Sequence, residues 1–397
     1  MAFPEQKLVD CCELITDGDH QPPPKSESGV PFITISDIDA YNTITYEKVA
    51  FAPTEYYCSL KDDRKARKGD VLYSVVGTYG KPVFKRSDAP IVFQRHIAIL
   101  RANDKVLPAF LYYSLLNRDF YCRADAVAIG AAQKTITLNA LRNLQIPLPN
   151  LETQERIVRM LEPYDALIEN NRRQIKLLEE AAQRLYKEWF VDLRFPGHEH
   201  TPIIDGMPQG WRMMQLDQIA DIECGQSPKS EYYNTLGEGL PFHQGVGSYG
   251  ARFVKDDTYS SVYSKVAPAG SILFSVRAPV GRLNVTMNEV AIGRGLAAMN
   301  HVRNRQSFLF YLLKAHFFKE DLAGNGAIFA SISKPELKKM KFRVPGEDLQ
   351  EQFEAVASRL DAKLAILVRQ NDLLTEARDR LLPKLMSGEI EVHALPR

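Results

Sequence analysis

Several short stretches of this 397-residue chain hold residue types that do chemistry elsewhere. "GTYGKP", Gly77 to Pro82, has the glycines and lysine of a phosphate-cradling loop. That loop needs four residues between its first glycine and its Gly-Lys pair, so that successive backbone amides wrap phosphate; here there are two, and a proline follows the lysine. "HQPPPK", His20 to Lys25, has the prolines of an amino-methyltransferase loop but neither its polar acceptor nor its aromatic flank. "HEH", His198 to His200, offers imidazoles to a metal, or is a solvated turn in a linker. The five cysteines, Cys11, Cys12, Cys58, Cys122 and Cys224, are odd in number and form no C-x-x-C pair, so they read as buried or incidental thiols. No catalytic residue and no metal site are assigned.

Side chains that suit nucleic acid are more numerous. "RKARK" (Arg64, Lys65, Arg67, Lys68) is the densest basic run, suited to phosphate or simply a solvated charged turn before a strand. "GAAQKTI" puts Gln133 and Lys134 just ahead of a helix capped by Thr137 or Asn139. Glutamine can pair bidentately with adenine, and lysine or arginine with guanine, in the major groove. Lys81, Arg95, Gln226, Lys229, Arg277, Arg282 and Arg294 complete the candidates, each with a surface salt bridge as its alternative.

What must position them is written twice. "LPNLETQERIV" at 148–158 has an echo in "VPGEDLQEQFE" at 344–354, and at a constant offset of 196 thirteen of 37 positions are identical. Among them are Pro149/Pro345, Gln154/Gln350, Asp165/Asp361 and Leu185/Leu381. Self-similarity of this kind marks two tandem halves. A fainter repeat precedes each copy: "GDVLYSV" over "GSILFSV", Gly80–Lys81 over Gly281–Arg282, Arg95 over Arg294, "FLYYSLL" over "FLFYLLK", and "GVPF" over "GLPF". The offset drifts while the apolar skeleton persists, as expected of related folds with different loops.

Length and composition agree with two domains of an ordinary globular protein, 45% hydrophobic and 25% charged. No apolar run is long enough to cross a membrane, and "MAFPEQKLVD" lacks the order of a signal peptide, so a cytoplasmic location is expected. The net charge of +1 is uneven: residues 201–343 carry 17 bases against 12 acids, residues 1–150 carry 18 against 17, and the repeated segments are neutral to acidic. An anionic partner should therefore meet the regions between the repeats.

Val71–Val75, Ile91–Phe93, Ile97–Leu100 and Ile272–Val276 read as strands, and Phe110–Asn117 and Phe308–Lys314 as short helices. Each half is thus a mixed α/β domain followed by a long helix. In the first helix Ile157, Leu161, Tyr164, Ile168, Asn171, Ile175, Leu178, Ala182, Leu185 and Trp189 recur at steps of 4 and 3. The second gives Phe353, Ala357, Leu360, Leu364, Leu367, Asn371, Leu374, Arg378, Leu381 and Leu385. Such spacing predicts a coiled-coil seam, or an amphipathic helix on its own domain. Paired antiparallel, the seams would bring Asn171 to Asn371. Pro163 should divide a short first helix from the long one, and Pro383 should bend or end the second.

With "RLYKEWFVDLRFPGHE", the "GW" re-entry and "LLPKLMSGEIEV", this order of segments resembles the specificity subunit of type I restriction-modification systems over essentially the whole chain. The resemblance implies an α+β fold with target recognition domains at 1–148 and 210–344, helical spacers at 149–192 and 345–386, a linker at 193–209 and a tail at 387–397. It implies two long antiparallel helices in a coiled coil between the domains, a pseudo-twofold arrangement. It also implies a non-catalytic reader of a bipartite double-stranded DNA target. Two modification subunits, which use S-adenosylmethionine, dock on the helices, and ATP- and magnesium-dependent restriction subunits complete the complex; this chain binds no cofactor. A coiled-coil scaffold without DNA binding and a self-sufficient DNA-modifying enzyme are the competing readings.

Overall fold

The computed structural model describes residues 3–47, 49–131, 133–317 and 331–391; the last part of the expected tail lies outside them. By its contacts the chain divides into two units, residues 1–169 with 371–397, and residues 170–370. Each unit therefore contains one mixed domain and a portion of each long helix.

The first unit is built on a four-stranded antiparallel sheet in the order Cys12–Asp17, Ile97–Ala102, Val71–Ser74, Pro82–Phe84. A smaller sheet beside it pairs Ala50–Ala52 with Val30–Ile33, and Val30–Ile33 in parallel with Val92–Phe93. The strand Val71–Ser74 is buried throughout because both faces are covered. Val71 and Tyr73 join the core formed with the helix Pro108–Leu116, while Leu72 joins Ile33, Ile97 and Ile99 on the other face. Two covered faces explain the unbroken apolar run of "VLYSV", where a half-exposed strand would alternate.

The second unit repeats this plan. Its four-stranded sheet runs Ala220–Cys224, Leu296–His301, Ile272–Ser275, Leu283–Val285, and Leu240–His243 lies parallel to Val290–Ile292 in a second sheet of five short strands. Ile272 and Phe274 face the helix Gln306–Phe317, and Leu273 faces the other way. The stretch after the first long helix is ordered: Phe190, Phe195 and Trp211 pack together with ring centroids 5.7–6.0 Å apart. Asp205 and Gly206, both at positive φ, turn a hairpin between Ile203–Ile204 and Met207–Pro208.

The long helices span Leu151–Tyr186, continued by a π turn at Lys187–Val191, and Glu347–Ser387. Each helix continues through its proline, so the division expected at Pro163 and an end at Pro383 are corrected. Pro163 lies on an exposed face, where water can replace the hydrogen bond that the ring forfeits, and buried Leu161 and Ile168 flank it on the opposite face. Leu382, Leu385 and Met386 hold the last turn of the second helix in the first unit's core past Pro383, and the helix stops at Gly388, φ +73°. Every position of both proposed seams is buried or half-buried, while off-seam Leu167, Leu177, Ile366 and Leu373 are exposed. Asn171 and Asn371 are both buried, and the Asn371 Oδ1 accepts no hydrogen bond among the described residues.

The repeated "P…QE" opening of each helix has a local cause. Gln154 Nε2 donates to the Pro149 carbonyl and Gln350 Nε2 to that of Pro345, each at 2.9 Å and each buried. Gln154 Oε1 also accepts from Leu107 N at 2.9 Å, tying the helix start to its own domain.

Further along, a half-buried aspartate in each unit clamps helix to domain. Tyr113 donates to Asp165 at 2.8 Å, and Arg378 reaches Asp165 at 2.6 Å. In the second unit Tyr311 and Arg252 both bond Asp361, each at 2.9 Å. Burial works against the charge on Arg378, and Asp165 and Asp379 more than restore it, so its proton is held more tightly than usual. Asp165→Asn should leave that buried guanidinium with only the exposed Asp379 as counter-charge and cost about 3 kcal/mol of stability, the low end for a broken buried pair. Adding Arg378→Met should recover most of the loss in chemical denaturation; a wild-type midpoint for Asp165→Asn alone would remove the clamp's importance.

Candidate nucleic-acid interface

In each unit three loops meet at one end of the four-stranded sheet, and the same backbone bonds tie them. Gly18 N donates to the Ile97 carbonyl at 3.2 Å and Gly225 N to that of Leu296 at 3.0 Å. Val75 N donates to His96 O and Val276 N to Gly295 O, both at 2.9 Å. The turn that follows is closed by a serine: Lys81 N donates to Ser74 Oγ at 2.9 Å and Arg282 N to Ser275 Oγ at 2.8 Å. At Gly18 an added Cβ would stand 2.3 Å from the Phe93 carbonyl oxygen, and at Gly225 it would stand 2.3 Å from that of Gly293. Only a residue without a side chain lets the first loop approach the third so closely.

These loop ends carry most of the sequence candidates. In the first unit Arg95 is exposed on the third loop, its amide bonded to the Asp19 carbonyl at 3.1 Å. Exposed Gln133 and Lys134 are drawn in by Gly77 N, which donates to the Lys134 carbonyl at 3.0 Å. Thr137 caps the following helix, accepting from Ala140 N at 3.1 Å. Lys134 Nζ bonds Asp125 at 2.8 Å, and Tyr79 donates to the same carboxylate, so Lys134 and Tyr79 together hold Asp125 below the ordinary carboxylate range. Lys81 points instead into the protein, its Nζ donating to the Ile38 carbonyl at 3.0 Å.

In the second unit Gln226, Lys229, Arg277, Arg282 and Arg294 are all exposed around the equivalent end. Gln226 Oε1 accepts from Ser264 at 3.3 Å, Lys229 lies 3.8 Å from Glu231, and the Arg294 amide donates to Ser227 Oγ at 3.1 Å.

The run at 64–68 is not the single patch expected. Arg64 turns inward to Asp19 at 2.8 Å, near the loop end. Asp19 stays below its ordinary range chiefly through the Tyr56 hydroxyl, with Arg64 helping. Lys65 donates to the Cys58 carbonyl at 3.2 Å and to Asp62 at 3.3 Å. Only Arg67 and Lys68 are exposed, and they lie at the opposite end of the strand Val71–Ser74, next to Gly69, Lys85 and Arg86. His198 Nδ1 lies 2.9 Å from the Phe195 carbonyl, and no group of three or more His, Cys, Asp or Glu among the described residues could hold a metal. All five cysteines are free thiols, Cys11 and Cys12 buried.

A fourth loop was missed. It follows Leu240–His243 and brings exposed Gln244 to the same end, where Gly293 N donates to the His243 carbonyl at 2.8 Å and Gly295 N to that of Gln244 at 3.2 Å. Extending the match of "GVPF" with "GLPF" by a few residues, onto Thr34 and Gln244, would have found it.

The duplication is also what comparison with known families finds. The model of the type I restriction modification DNA specificity domain matches twice, at residues 8–180 and 208–376. The chain belongs to the family of type I restriction-modification specificity subunits. Its two halves are the family's recognition domains, and DNA target recognition is the role the family implies. The chain is 30% identical over 416 residues to a putative type I restriction enzyme specificity subunit, MjaX, of Methanocaldococcus jannaschii, covering 98% of this chain and 93% of that one. It is 24% identical to the HindI specificity subunit of Haemophilus influenzae, covering 82% and 87%. The crystal structure of a type I S subunit from M. genitalium matches with a TM-score of 0.58 at 18% identity, covering 97% and 96%, a likeness of fold. Among the described residues no helix is long and apolar enough to cross a membrane.

Gly225→Ala should force the first loop off the third and cost about 1–3 kcal/mol, the usual penalty of overpacking. Thermal unfolding of the variant checks it; an unchanged midpoint would show that the loop relaxes without cost.

Proposed function

We propose that this chain is the non-catalytic DNA address of a type I restriction-modification complex. Each recognition domain presents its loop-bearing sheet end to one half of a bipartite double-stranded target. The two long helices run antiparallel as a coiled coil that spaces the domains and docks two modification subunits. The chemistry belongs to the partners: S-adenosylmethionine serves adenine methylation in the modification subunits, and ATP and magnesium serve the restriction subunits. The assembly works in the cytoplasm, where its DNA is.

The observation that carries this reading is the duplicated sheet end, built twice by equivalent backbone bonds and furnished each time with exposed arginine and glutamine. A scaffold has no use for two such ends. Arginine and lysine there can neutralise phosphate, which positions without specifying, while base edges in the groove supply sequence. The exposed pair Arg67 and Lys68, away from the loops, suits phosphate alone. The coiled coil is supported by the 4-and-3 spacing and by its burial, and buried Asn171 and Asn371 are the polar core residues that fix register in such seams.

The deciding experiment exchanges residues 210–344 for the matching domain of a relative, co-expresses the chimera with the modification subunits and maps methylated adenines. One half-site should change and the other stay; a change in both would end the two-module reading.

The spacer role has its own test. One heptad inserted into each long helix, near Asn171 and near Asn371, lengthens each by about 10 Å at 1.5 Å per residue and keeps the seam in phase to within about 20°. At about 3.4 Å per base pair along a strand, the half-sites should move apart by roughly three base pairs. Activity should fall, since three base pairs also turn the duplex by about 100° for a turn of roughly 10.5. Full methylation at the original spacing would show that the helices do not measure the gap.

A further inference from the structure

We propose that Gln244 and Arg294 form a base-reading pair in the second recognition domain, Gln244 directed at adenine and Arg294 at guanine in one half-site. This rests on the DNA-address reading and names the side chains that do the reading.

The two residues sit on segments that touch backbone to backbone. A Cβ placed on Gly293 would stand 2.8 Å from the Gln244 Cα and 3.0 Å from both the Phe242 ring and Ser227 Oγ. One placed on Gly295 would stand 2.5 Å from the Gln244 carbonyl oxygen. Arg294 is therefore held between two glycines that exist to let its segment press against that of Gln244. The platform is fixed from beneath. His243 is 1% exposed, with Nδ1 2.7 Å from Ser248 Oγ and Nε2 3.1 Å from Asp256 Oδ1, and Asn288 donates to the other oxygen of Asp256 at 2.7 Å. Loop and strand are thus locked on both sides of Gln244.

Against this rigid base the two side chains are free. Both are exposed, and neither has a hydrogen bond or ion pair to a described residue, whereas Gln226 is bonded to Ser264 and Lys229 lies near Glu231. Gln244 follows the strand Leu240–His243 and Arg294 sits in the turn after Val290–Ile292, and these two strands pair directly, so side chains projecting from their ends can address neighbouring base pairs. The donor and acceptor of a glutamine amide match N7 and N6 of adenine, and the arginine fork matches O6 and N7 of guanine. The rigid backbone spares the cost of ordering a loop on binding, leaving only the rotamers of the two side chains to be fixed.

The test uses the full chain co-expressed with its modification subunits in a host free of adenine methylation, with methylome sequencing as readout. Gln244→Ala should relax discrimination at one A·T position of one half-site by roughly tenfold to a hundredfold, as loss of a bidentate pair does. Arg294→Ala should do the same at a nearby G·C position. Gln244→Glu, which can only accept, should shift the first position toward C·G, since a carboxylate pairs with the cytosine amino group. A uniform fall in methylation with an unchanged motif, or an intact motif at normal extent, would overturn the assignment while leaving the address reading in place. Absence of any bipartite motif for the wild-type chain would overturn both.

Discussion

A half-buried aspartate in each unit ties the recognition domain to the long helices, and much else depends on it. Asp165 takes hydrogen bonds from Tyr113 on the domain and from Arg378 on the other helix segment of its unit; Asp361 takes them from Tyr311 and Arg252. The apolar contacts around them, such as Ile157, Leu161 and Leu385 in the first unit and Phe353 and Ala357 in the second, supply most of the burial but little direction. A charge paired in low dielectric is directional, because leaving its partner costs several kcal/mol. It therefore fixes how the helix is rotated on its domain. The duplication kept the aspartate and the tyrosine but not the base. Arg378 stands where the first helix has Ala182, and Arg252 comes from a loop, so the same need was met from two directions.

A second constraint decides where function can reside. The central strands of each four-stranded sheet are covered on both faces, by helices on one side and by the second sheet on the other. Side chains on those faces cannot meet a macromolecule. What remains is the sheet's ends. One end receives the loops bearing Arg95 and Gln133 in the first unit and Gln226, Gln244, Arg277 and Arg294 in the second. The other end abuts the start of the domain helix and the long helix, and holds Lys68, Lys85 and Arg86. Lys85 is itself spent inside the protein, donating to the carbonyls of Ser87 and Ala89.

What could be read in advance follows from the range of the physics involved. The strands Val71–Ser74 and Ile272–Ser275, the Thr137 cap and the buried stripe of both helices depend on residues a few positions apart, and the sequence displays them directly. Even exposed Leu167 and Leu373 are sorted correctly by period, although their type alone suggests burial. The helices' passage through Pro163 and Pro383 was not legible, because local penalty yields there to packing by residues on other elements. The fate of the basic run was hidden for the same reason: Asp19, which claims Arg64, lies 45 positions away. Gln244 was hidden by a drifting offset: only the short match of "GVPF" with "GLPF", carried two residues on, points to it, and the parallel pairing of Leu240–His243 with Val290–Ile292 is what brings it to the loop end.

That drift says how such a protein can change its target. The bonds that close the sheet end use backbone amides and carbonyls, together with a serine hydroxyl at Ser74 and Ser275, so they survive while the loops between them change length and composition. Glycine is retained where loops cross at close range, at Gly18 and Gly225, because any side chain would collide with a carbonyl. Arginine, glutamine and lysine project from this frame without building it. Their replacement costs little stability, since exposed polar side chains contribute little to the core. Affinity drawn from phosphates is indifferent to sequence, so a domain that swaps its reading side chains still binds DNA while it acquires a new specificity. The separation of frame from exposed side chains, visible as a constant apolar skeleton under a shifting offset, is the physical condition for two domains on one chain to diverge in the surfaces they present.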